Sequence, residues 1–194
     1  MYNQKVYFKA LLVLGALIFF IMWILKGKLI DMSIIPIALS ASGVTLLFDQ
    51  FIFKKFLWGI CPNLFYKIRV TNSPYLGGNW TGYLHSDYIY PETNKTGDPI
   101  KASMKIIHKF DCIRIQLETN QSYSSSYASD ITEDGGEQKY LCYLYVNDAD
   151  KDRHLNPKHD GAVKLRIKEN DELILEGNYW TGRKTTGTMK FERK

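Results

Sequence analysis

The sequence has few cysteines and lacks the short motifs that carry the common enzyme chemistries. Its cysteines, Cys61, Cys112 and Cys142, are odd in number and have no partner at metal-ligand spacing. A G-x-S-x-G elbow, a phosphate-binding P-loop and an H-E-x-x-H helix are absent as well. We therefore expect no disulfide framework, no metal, no cofactor and no catalytic residues. The pattern argues against an enzyme and favours reduced thiols in a cytosolic compartment.

Excess positive charge is missing from the larger part of the chain. The net charge is +5, but residues 1–68 hold seven lysines against two aspartates. Residues 69–194 hold eighteen basic and eighteen acidic side chains. A balanced domain lacks the electrostatic footprint of a protein that binds a long nucleic acid, so that class of partner is excluded.

Long apolar runs are present near the N-terminus. Ala10 to Leu25 is sixteen residues without a charge, and its flanks extend the run to about twenty, or roughly 30 Å of helix. A second uncharged run covers residues 34–48 after a short polar break. We predict a transmembrane helical hairpin in residues 1–60. A cleaved secretory signal and a buried soluble hairpin are the alternatives, but no small-residue cleavage site follows the first run.

The lysines around the two runs predict the orientation of this hairpin. In a hairpin both termini lie on one side, and that side carries four lysines against two in the connecting turn. The four are Lys5, Lys9, Lys54 and Lys55; the two are Lys26 and Lys28, with Asp31 beside them. The positive-inside rule therefore places both termini in the cytoplasm. Four aromatic residues, Phe56, Trp58, Phe65 and Tyr66, are predicted to join an interfacial belt after the second run.

After residue 77 the apolar residues recur at every second position. Residues 61–77 form a predicted linker, in which Pro62 and Pro74 mark turns that interrupt any helix. In the remaining domain, residues 78–194, polar loops are expected at 91–99 and 148–160. The eight predicted strands are Trp80–Tyr90, Ala102–Phe110, Ile113–Glu118, Ser122–Ile131, Tyr140–Asn147, Val163–Lys168, Leu173–Trp180 and Thr185–Arg193. Short strands joined by tight turns predict an all-β domain, an up-and-down antiparallel eight-stranded β-barrel of lipocalin-like architecture. His108 falls on the apolar phase of its strand, where a hydrogen-bonded core histidine is expected.

The predicted strands carry serines, tyrosines and one basic turn. Ser122, Ser124 and Ser126 share a strand face, and so do Tyr143, Tyr145 and Asn147. Tyr179 and Trp180 precede a turn that contains Arg183 and Lys184. Flat rings and hydroxyls beside a cationic turn are what a nucleobase and a phosphate need from a binding site. The alternative is that these are ordinary strand residues, since tyrosine is common in sheets.

Several short motifs resemble one protein family when they are taken in order. They are Leu76-Gly77-Gly78-Asn79-Trp80-Thr81-Gly82-Tyr83, the Ser-x-Ser-x-Ser strand at 122–126, Tyr143-Leu144-Tyr145-Val146-Asn147, His159-Asp160-Gly161, and Gly177-Asn178-Tyr179-Trp180-Thr181-Gly182-Arg183 through Gly187. Following two apolar helices, they resemble the two-transmembrane, β-strand-rich effectors of cyclic-oligonucleotide-based antiphage signalling systems (CBASS) in bacteria. The similarity covers nearly the whole chain.

The resemblance implies a minimal barrel that binds a cyclic dinucleotide made by a partner nucleotidyltransferase. Binding would drive self-association, and the associated hairpins would disrupt the inner membrane and kill the infected cell. The barrel would then be cytoplasmic and the chain a multi-pass protein of the bacterial inner membrane. By residue type and motif position, the expected ligand contacts are Ser124, Ser126, Tyr145, Asn147, Tyr179, Arg183 and Thr185. Trp80, Tyr83 and His159 are expected to close the barrel instead.

Two other functions remain open from the sequence. A membrane-anchored, lipocalin-like barrel could hold a lipid or another apolar ligand, and its mouth would be lined by Phe, Leu and Ile. A structural anchor could use the barrel to bind another protein without any small ligand. A neighbouring nucleotidyltransferase gene would count against both.

Overall fold

The chain divides into two compact units, each with its own packing. The computed structural model describes residues 2–27, 34–149, 157–169 and 171–194. The first unit is Met1–Tyr75 with Lys109–Asp111, and the second is Leu76–His108 with Cys112–Lys194. The turn between the two apolar runs and most of the predicted loop at 148–160 lie outside the described residues, as does Asn170. The bounds proposed above for hairpin, linker and barrel domain stay predictions.

The first unit is helical. Helix α1 is Gln4–Leu25, and the Asn3 side chain caps it by accepting from the Val6 N–H. Helix α2 is Ile34–Leu47, followed by a π-helical segment, Phe48–Leu57, and by the short helices α3, Trp58–Ile60, and α4, Pro62–Lys67. By length and composition, Gln4–Leu25 and Ile34–Ile60 are apolar enough to cross a membrane. This agrees with the two predicted spans.

A buried carboxylate links the two long helices of this unit. Asp49 is buried although it lies in an apolar helix. It accepts a hydrogen bond of 2.5 Å from the Tyr7 hydroxyl and pairs with the Lys54 ammonium at 3.0 Å. Because a buried charge is costly unless it is paired and hydrogen-bonded, these two partners explain how the carboxylate is tolerated there.

An aromatic cluster completes the helical unit and corrects one prediction. Trp58 and Phe65 are buried against Tyr7, Val70 and Phe110. The ring centres of Trp58 and Phe65 lie 5.5 Å apart in an edge-to-face arrangement. The prediction that Trp58 and Phe65 form an interfacial belt is therefore wrong, since their rings pack on each other and are not presented outward.

The second unit is a closed antiparallel barrel. In order around the barrel, its strands are β1, β10, β9, β8, β7, β6, β5 and β4. The bounds are Gly78–Ser86 (β1), Ile100–His108 (β4), Ile113–Thr119 (β5), Ser122–Glu133 (β6), Lys139–Ala149 (β7), His159–Glu169 (β8), Leu173–Thr181 (β9) and Thr186–Arg193 (β10). Every neighbour in this order is an antiparallel partner. The predicted eight-stranded up-and-down barrel is confirmed.

Two local features differ from the predicted strands. The first predicted strand, Trp80–Tyr90, ends at Ser86, and a separate hairpin follows, made of β2 (Ile89–Tyr90) and β3 (Lys95–Thr96). Strand β6 contains a bulge, because Ser126 pairs with Tyr145 whereas Ala128 pairs with Leu144. The extra residue at the bulge, Tyr127, is exposed. A bulge of this kind bends a strand and helps a sheet to close.

The inward-facing side chains differ between the two ends of the barrel. Near the starts of β1 and β5 they are large, apolar and buried, and they fill the interior. This apolar end contains Trp80, Met104, Ile106, Ile113, Ile115, Leu141, Leu165, Ile167, Leu175 and Phe191. An eight-stranded barrel has just enough room for such a packed core or for one small ligand. The apolar end uses that room for side chains.

His108 lies at the apolar end and has the role predicted from the sequence. Its side chain is buried, and its Nδ1 accepts a hydrogen bond of 3.1 Å from the Leu76 N–H. Burial lowers the pKa of His108 from 6.5 to about 4, because the imidazolium would lose its hydration. The folded state therefore holds the neutral ring.

This histidine predicts a loss of stability in mild acid. Between pH 6.5 and about 4 the unfolded chain binds a proton that the folded chain does not. The folded state is thus destabilised as the pH falls, in the end by on the order of 3 kcal/mol. We expect His108→Gln to weaken the acid dependence of the melting temperature between pH 7.5 and 4.5, measured on the full chain in detergent. The exposed His85→Gln is the control, and equal acid dependence in both variants would contradict the prediction.

Candidate ligand-binding site

The polar inward-facing residues gather at the end of the barrel opposite the packed core. This polar end lies where β1, β5, β7 and β9 finish and β4, β6, β8 and β10 begin. Inward positions there alternate along the strands with outward ones. The polar residues on the inner wall there include Ser86, Thr119, Ser122, Ser124, Ser126, Tyr145, Asn147, His159, Tyr179 and Thr181. Five of the seven predicted contacts are in this set.

Four of the predicted residues form two cross-strand pairs between β6 and β7. Ser124 pairs with Asn147 and Ser126 pairs with Tyr145. Ser124, Tyr145 and Asn147 are buried. The Ser126 oxygen already accepts a hydrogen bond of 2.8 Å from the Ile115 N–H, and this bond joins β5 to β6 beside the bulge. Ser126 thus has a structural hydrogen bond, although its hydroxyl can still donate.

Two glycines make room for two tyrosine rings. A Cβ at Gly161 would lie 2.4 Å from the Tyr145 ring, and a Cβ at Gly187 would lie 2.5 Å from the Tyr179 ring. Both distances are too short for real atoms, so each ring lies against the bare backbone of a neighbouring strand. The lack of a side chain at both positions therefore gives the two rings their place against the inner wall.

The two tyrosines of the inner wall keep their hydroxyl protons. Burial raises the pKa of Tyr145 to about 12, and the nearby Tyr179 contributes in the same direction. Burial also raises the pKa of Tyr179, whereas a hydrogen bond with Ser86 opposes the rise. Each phenol is therefore protonated at neutral pH. Each can donate a hydrogen bond to a ligand that enters at the polar end.

The remaining two predicted residues lie in the turn between β9 and β10. Arg183 is exposed at the rim, and Thr185 is partly buried. The Thr185 and Thr181 hydroxyls are 2.7 Å apart, and the Thr181 N–H donates to the Thr185 carbonyl at 3.0 Å. These bonds hold the turn, so its cationic side chains start from a fixed backbone at the rim of the polar end.

A cleft opens at the same end on the other side of the barrel. It has a volume of about 860 Å³ and lies between Ser86, Ala102 and Thr119 of the barrel and Tyr90 and Pro99. Typical small-molecule sites measure ~300–1,000 Å³. Ser86 and Thr119 were not among the predicted contacts. Both residues lie at inward-facing positions of β1 and β5, so they could have been predicted as contacts once the strand pairing was known.

The three residues expected to close the barrel have different surroundings. Trp80 is fully buried, and its Nε1–H donates to the Leu76 carbonyl at 3.0 Å. His159 is partly buried and pairs with Asn147 across β7 and β8. Tyr83 points outward and is 50% exposed, so the expectation that it closes the barrel is wrong. It lies three residues from the inward Trp80, which places it on the other strand face.

In this chain two apolar helices precede a closed barrel. The barrel has a packed apolar end and a polar inner wall at the other end, and this arrangement defines a small receptor-type barrel. Residues 71–193 match the family model described as Cap15, cyclic dinucleotide receptor domain, and the chain belongs to that family. The resemblance to CBASS effectors is thereby confirmed.

Two curated relatives carry the name CD-NTase-associated protein 15. The protein of Staphylococcus schleiferi is 32% identical over 94 residues, which are 48% of this chain and 50% of the relative. The protein of Yersinia aleksiciae is 30% identical over 122 residues, which are 62% of this chain and 55% of the relative. The chain thus spans about half the length of these curated relatives.

The contact between Gly161 and Tyr145 predicts a specific rescue. Gly161→Ala should destabilise the barrel by about 1–3 kcal/mol, because its new methyl group collides with the ring. Tyr145→Ala removes that ring, so Gly161→Ala should cost much less in the double variant. The test is a double-mutant cycle of unfolding free energies on the full chain in detergent.

The Gly187 and Tyr179 pair is the matched contrast for this cycle. A Cβ at Gly187 would also lie 2.1 Å from the His85 carbonyl oxygen. Tyr179→Ala should therefore fail to rescue Gly187→Ala. Additive effects at Gly161 and Tyr145 would contradict the proposed contact.

Proposed function

We propose that this chain is a CBASS effector whose barrel binds a cyclic dinucleotide at the polar end. Binding drives self-association of the chains through their membrane hairpins, and the associated hairpins disrupt the inner membrane of the infected cell. The cell then dies before the phage matures. The cyclic dinucleotide comes from a nucleotidyltransferase that works with this chain.

The observation that carries the proposal is the receptor-domain match over residues 71–193, which covers the whole barrel. The inner wall at the polar end supplies the chemistry that such a ligand needs. Tyr145 and Tyr179 offer aromatic rings and hydroxyl donors, Ser124 and Asn147 offer hydrogen-bonding groups, and Arg183 offers a cation at the rim. The predicted contacts Ser126 and Thr185 complete the proposed site.

A lipid ligand is less compatible with this interior. A lipid-binding barrel needs an apolar cavity, whereas here the largest apolar inward side chains, such as Trp80 and Phe191, are buried at the end opposite the polar wall. On the side of the barrel from β6 to β10, the polar end presents serine, tyrosine, asparagine and threonine. An alkyl chain placed there would leave buried polar groups without partners.

The proposed location is the bacterial inner membrane. The two apolar helices are long enough to cross it, and four lysines flank them on the side that holds both termini. By the positive-inside rule the N-terminus and the barrel then lie in the cytoplasm. The barrel would meet a ligand that is made in the same compartment.

The first test is a thermal-shift screen of the full chain in detergent against cyclic dinucleotides and cyclic trinucleotides. We expect one cyclic dinucleotide to raise the melting temperature by several degrees, since a ligand at a hundred times its Kd adds about 2.7 kcal/mol. The linear dinucleotide with the same bases is the control. No shift with any cyclic nucleotide in a folded sample would contradict the proposal, and a lipid extracted from the purified protein would favour the lipid-binding alternative.

Arg183 is expected to contribute to ligand affinity through a phosphate of the ligand. Arg183→Ala should raise the Kd at least tenfold, because a charge-assisted hydrogen bond is worth roughly 1.5–3 kcal/mol, and it should leave the domain folded. Titration calorimetry on the full chain in detergent measures the Kd of the wild-type chain and of the variant. The control is Arg166→Ala, an exposed arginine on β8 that donates to Gln138. Equal affinity in the two variants would remove Arg183 from the site.

A further inference from the structure

One tyrosine hydroxyl inside the barrel has no hydrogen-bond partner in the part of the chain that the structure describes. Tyr143 lies on the inward face of β7, two residues before Tyr145, and its side chain is only 5% exposed. Its hydroxyl is buried and finds no hydrogen-bonding atom among the described residues. Among the buried side chains of the described barrel residues, Tyr143 is the one whose polar atom lacks a hydrogen-bond partner.

An unpartnered buried hydroxyl is costly. Leaving such a group unsatisfied costs its full desolvation penalty, whereas a phenylalanine of nearly the same shape would cost nothing of this kind. Burial also raises the pKa of Tyr143, and the neighbouring Tyr145 adds to the rise, so the phenol stays protonated. It is a neutral donor inside the barrel.

The position of Tyr143 connects it to the polar end. The Tyr143 and Tyr145 ring centres are 6.1 Å apart, and Tyr145 is the nearer of the two to the end of β7. Across the next strands, Tyr143 pairs with Val163, which in turn pairs with Tyr179. On β7, Tyr143 therefore lies between Leu141 of the apolar end and Tyr145 of the polar end, and it is in register with Tyr179.

We propose that the Tyr143 hydroxyl is the innermost ligand contact and donates a hydrogen bond to an uncharged acceptor on the edge of a nucleobase. This inference rests on the proposed function and states how the ligand is oriented. One base enters the barrel edge first, and the phosphates stay at the rim near Arg183. On its way in, the base passes Tyr145, which lies two residues nearer the polar end on β7.

The charges of the interior support this orientation. The buried side chains of the described barrel include no lysine and no arginine, and its one buried imidazole, His108, is neutral and at the apolar end. A phosphate drawn down to Tyr143 would leave water without a compensating cation, which is very costly. A base carbonyl or ring nitrogen is uncharged, so it needs only a hydrogen-bond donor.

The test compares Tyr143→Phe with Tyr140→Phe on the full chain in detergent. Tyr140 lies on the same strand, faces outward and donates to Asp134 at 3.1 Å. With the cyclic dinucleotide that gives the largest shift in the screen, Tyr143→Phe should raise the Kd about tenfold. It should leave the melting temperature of the free protein unchanged or higher, because it removes an unsatisfied group. Tyr140→Phe should leave the Kd unchanged.

A phosphorothioate form of the same ligand separates base from phosphate contacts. Replacing a non-bridging phosphate oxygen by sulfur should not alter the tenfold effect of Tyr143→Phe, since the two changes act on different parts of the ligand. An effect that disappears with the sulfur ligand would mean that the hydroxyl contacts phosphate, and would overturn the orientation.

The remaining outcomes separate this inference from the proposed function. If the wild-type chain binds a cyclic dinucleotide and Tyr143→Phe binds it equally well, the innermost contact is overturned while the receptor function stands. If Tyr143→Phe lowers the melting temperature of the free protein by several degrees, the hydroxyl is structural and the inference is overturned. If the wild-type chain binds no cyclic nucleotide, the proposed function and the inference are both overturned.

Discussion

Closure of the barrel is the constraint on which the rest of the β unit depends. Once β1 pairs with both β4 and β10, the sheet has no free edge and every strand has one face turned inward. The interior of an eight-stranded barrel is narrow, so each inward position either fills space or leaves it for a ligand. The largest apolar side chains occupy one end, and polar side chains line much of the inner wall at the other end. One sheet thereby supplies both a core and a candidate site.

Glycines allow the sheet to curve where the strands come closest. A Cβ at Gly82 would lie 1.9 Å from the Lys190 carbonyl oxygen, and one at Gly177 would lie 2.1 Å from the Lys164 carbonyl oxygen. Any side chain at either position would force the neighbouring strands apart. At Gly161 and Gly187 the same lack of a side chain gives tyrosine rings their place. The curvature of the barrel and the position of its rings therefore depend on one residue type, as expected where strands bend sharply.

The strands could be predicted from the sequence because burial on one face imposes a period of two. The alternation of Ile113, Ile115 and Leu117 indicated the inner face of β5, and these three side chains are buried. The same rule could have placed Tyr83 on the outer face. The bulge after Ser126 had no such signal, since serine and alanine on both sides of it leave the two possible registers equally polar.

The composition of the site was harder to predict than the fold. Tyr145 and Asn147 could be grouped because they are two residues apart on one strand. Ser86 and Thr119 belong to the same end of the barrel, but only the order of strands around the closed sheet brings them there. In the helical unit, Asp49 directly follows the second uncharged run, residues 34–48. Its burial against Tyr7 and Lys54 depends on the packing of α1 against the π-helical segment, which hydropathy does not describe.

The charge balance of the chain favours a small ligand over a long one. Residues 69–194 carry equal numbers of acidic and basic side chains, so long-range attraction to a polyanion is weak. Affinity for an anionic ligand must then come from short-range contacts at the rim and from neutral donors within the barrel, both of which require a close fit. A long nucleic acid would gain little from counterion release on such a surface. It would also be too wide to enter an interior lined by Tyr145 and Tyr179, so charge and shape both favour a small ligand.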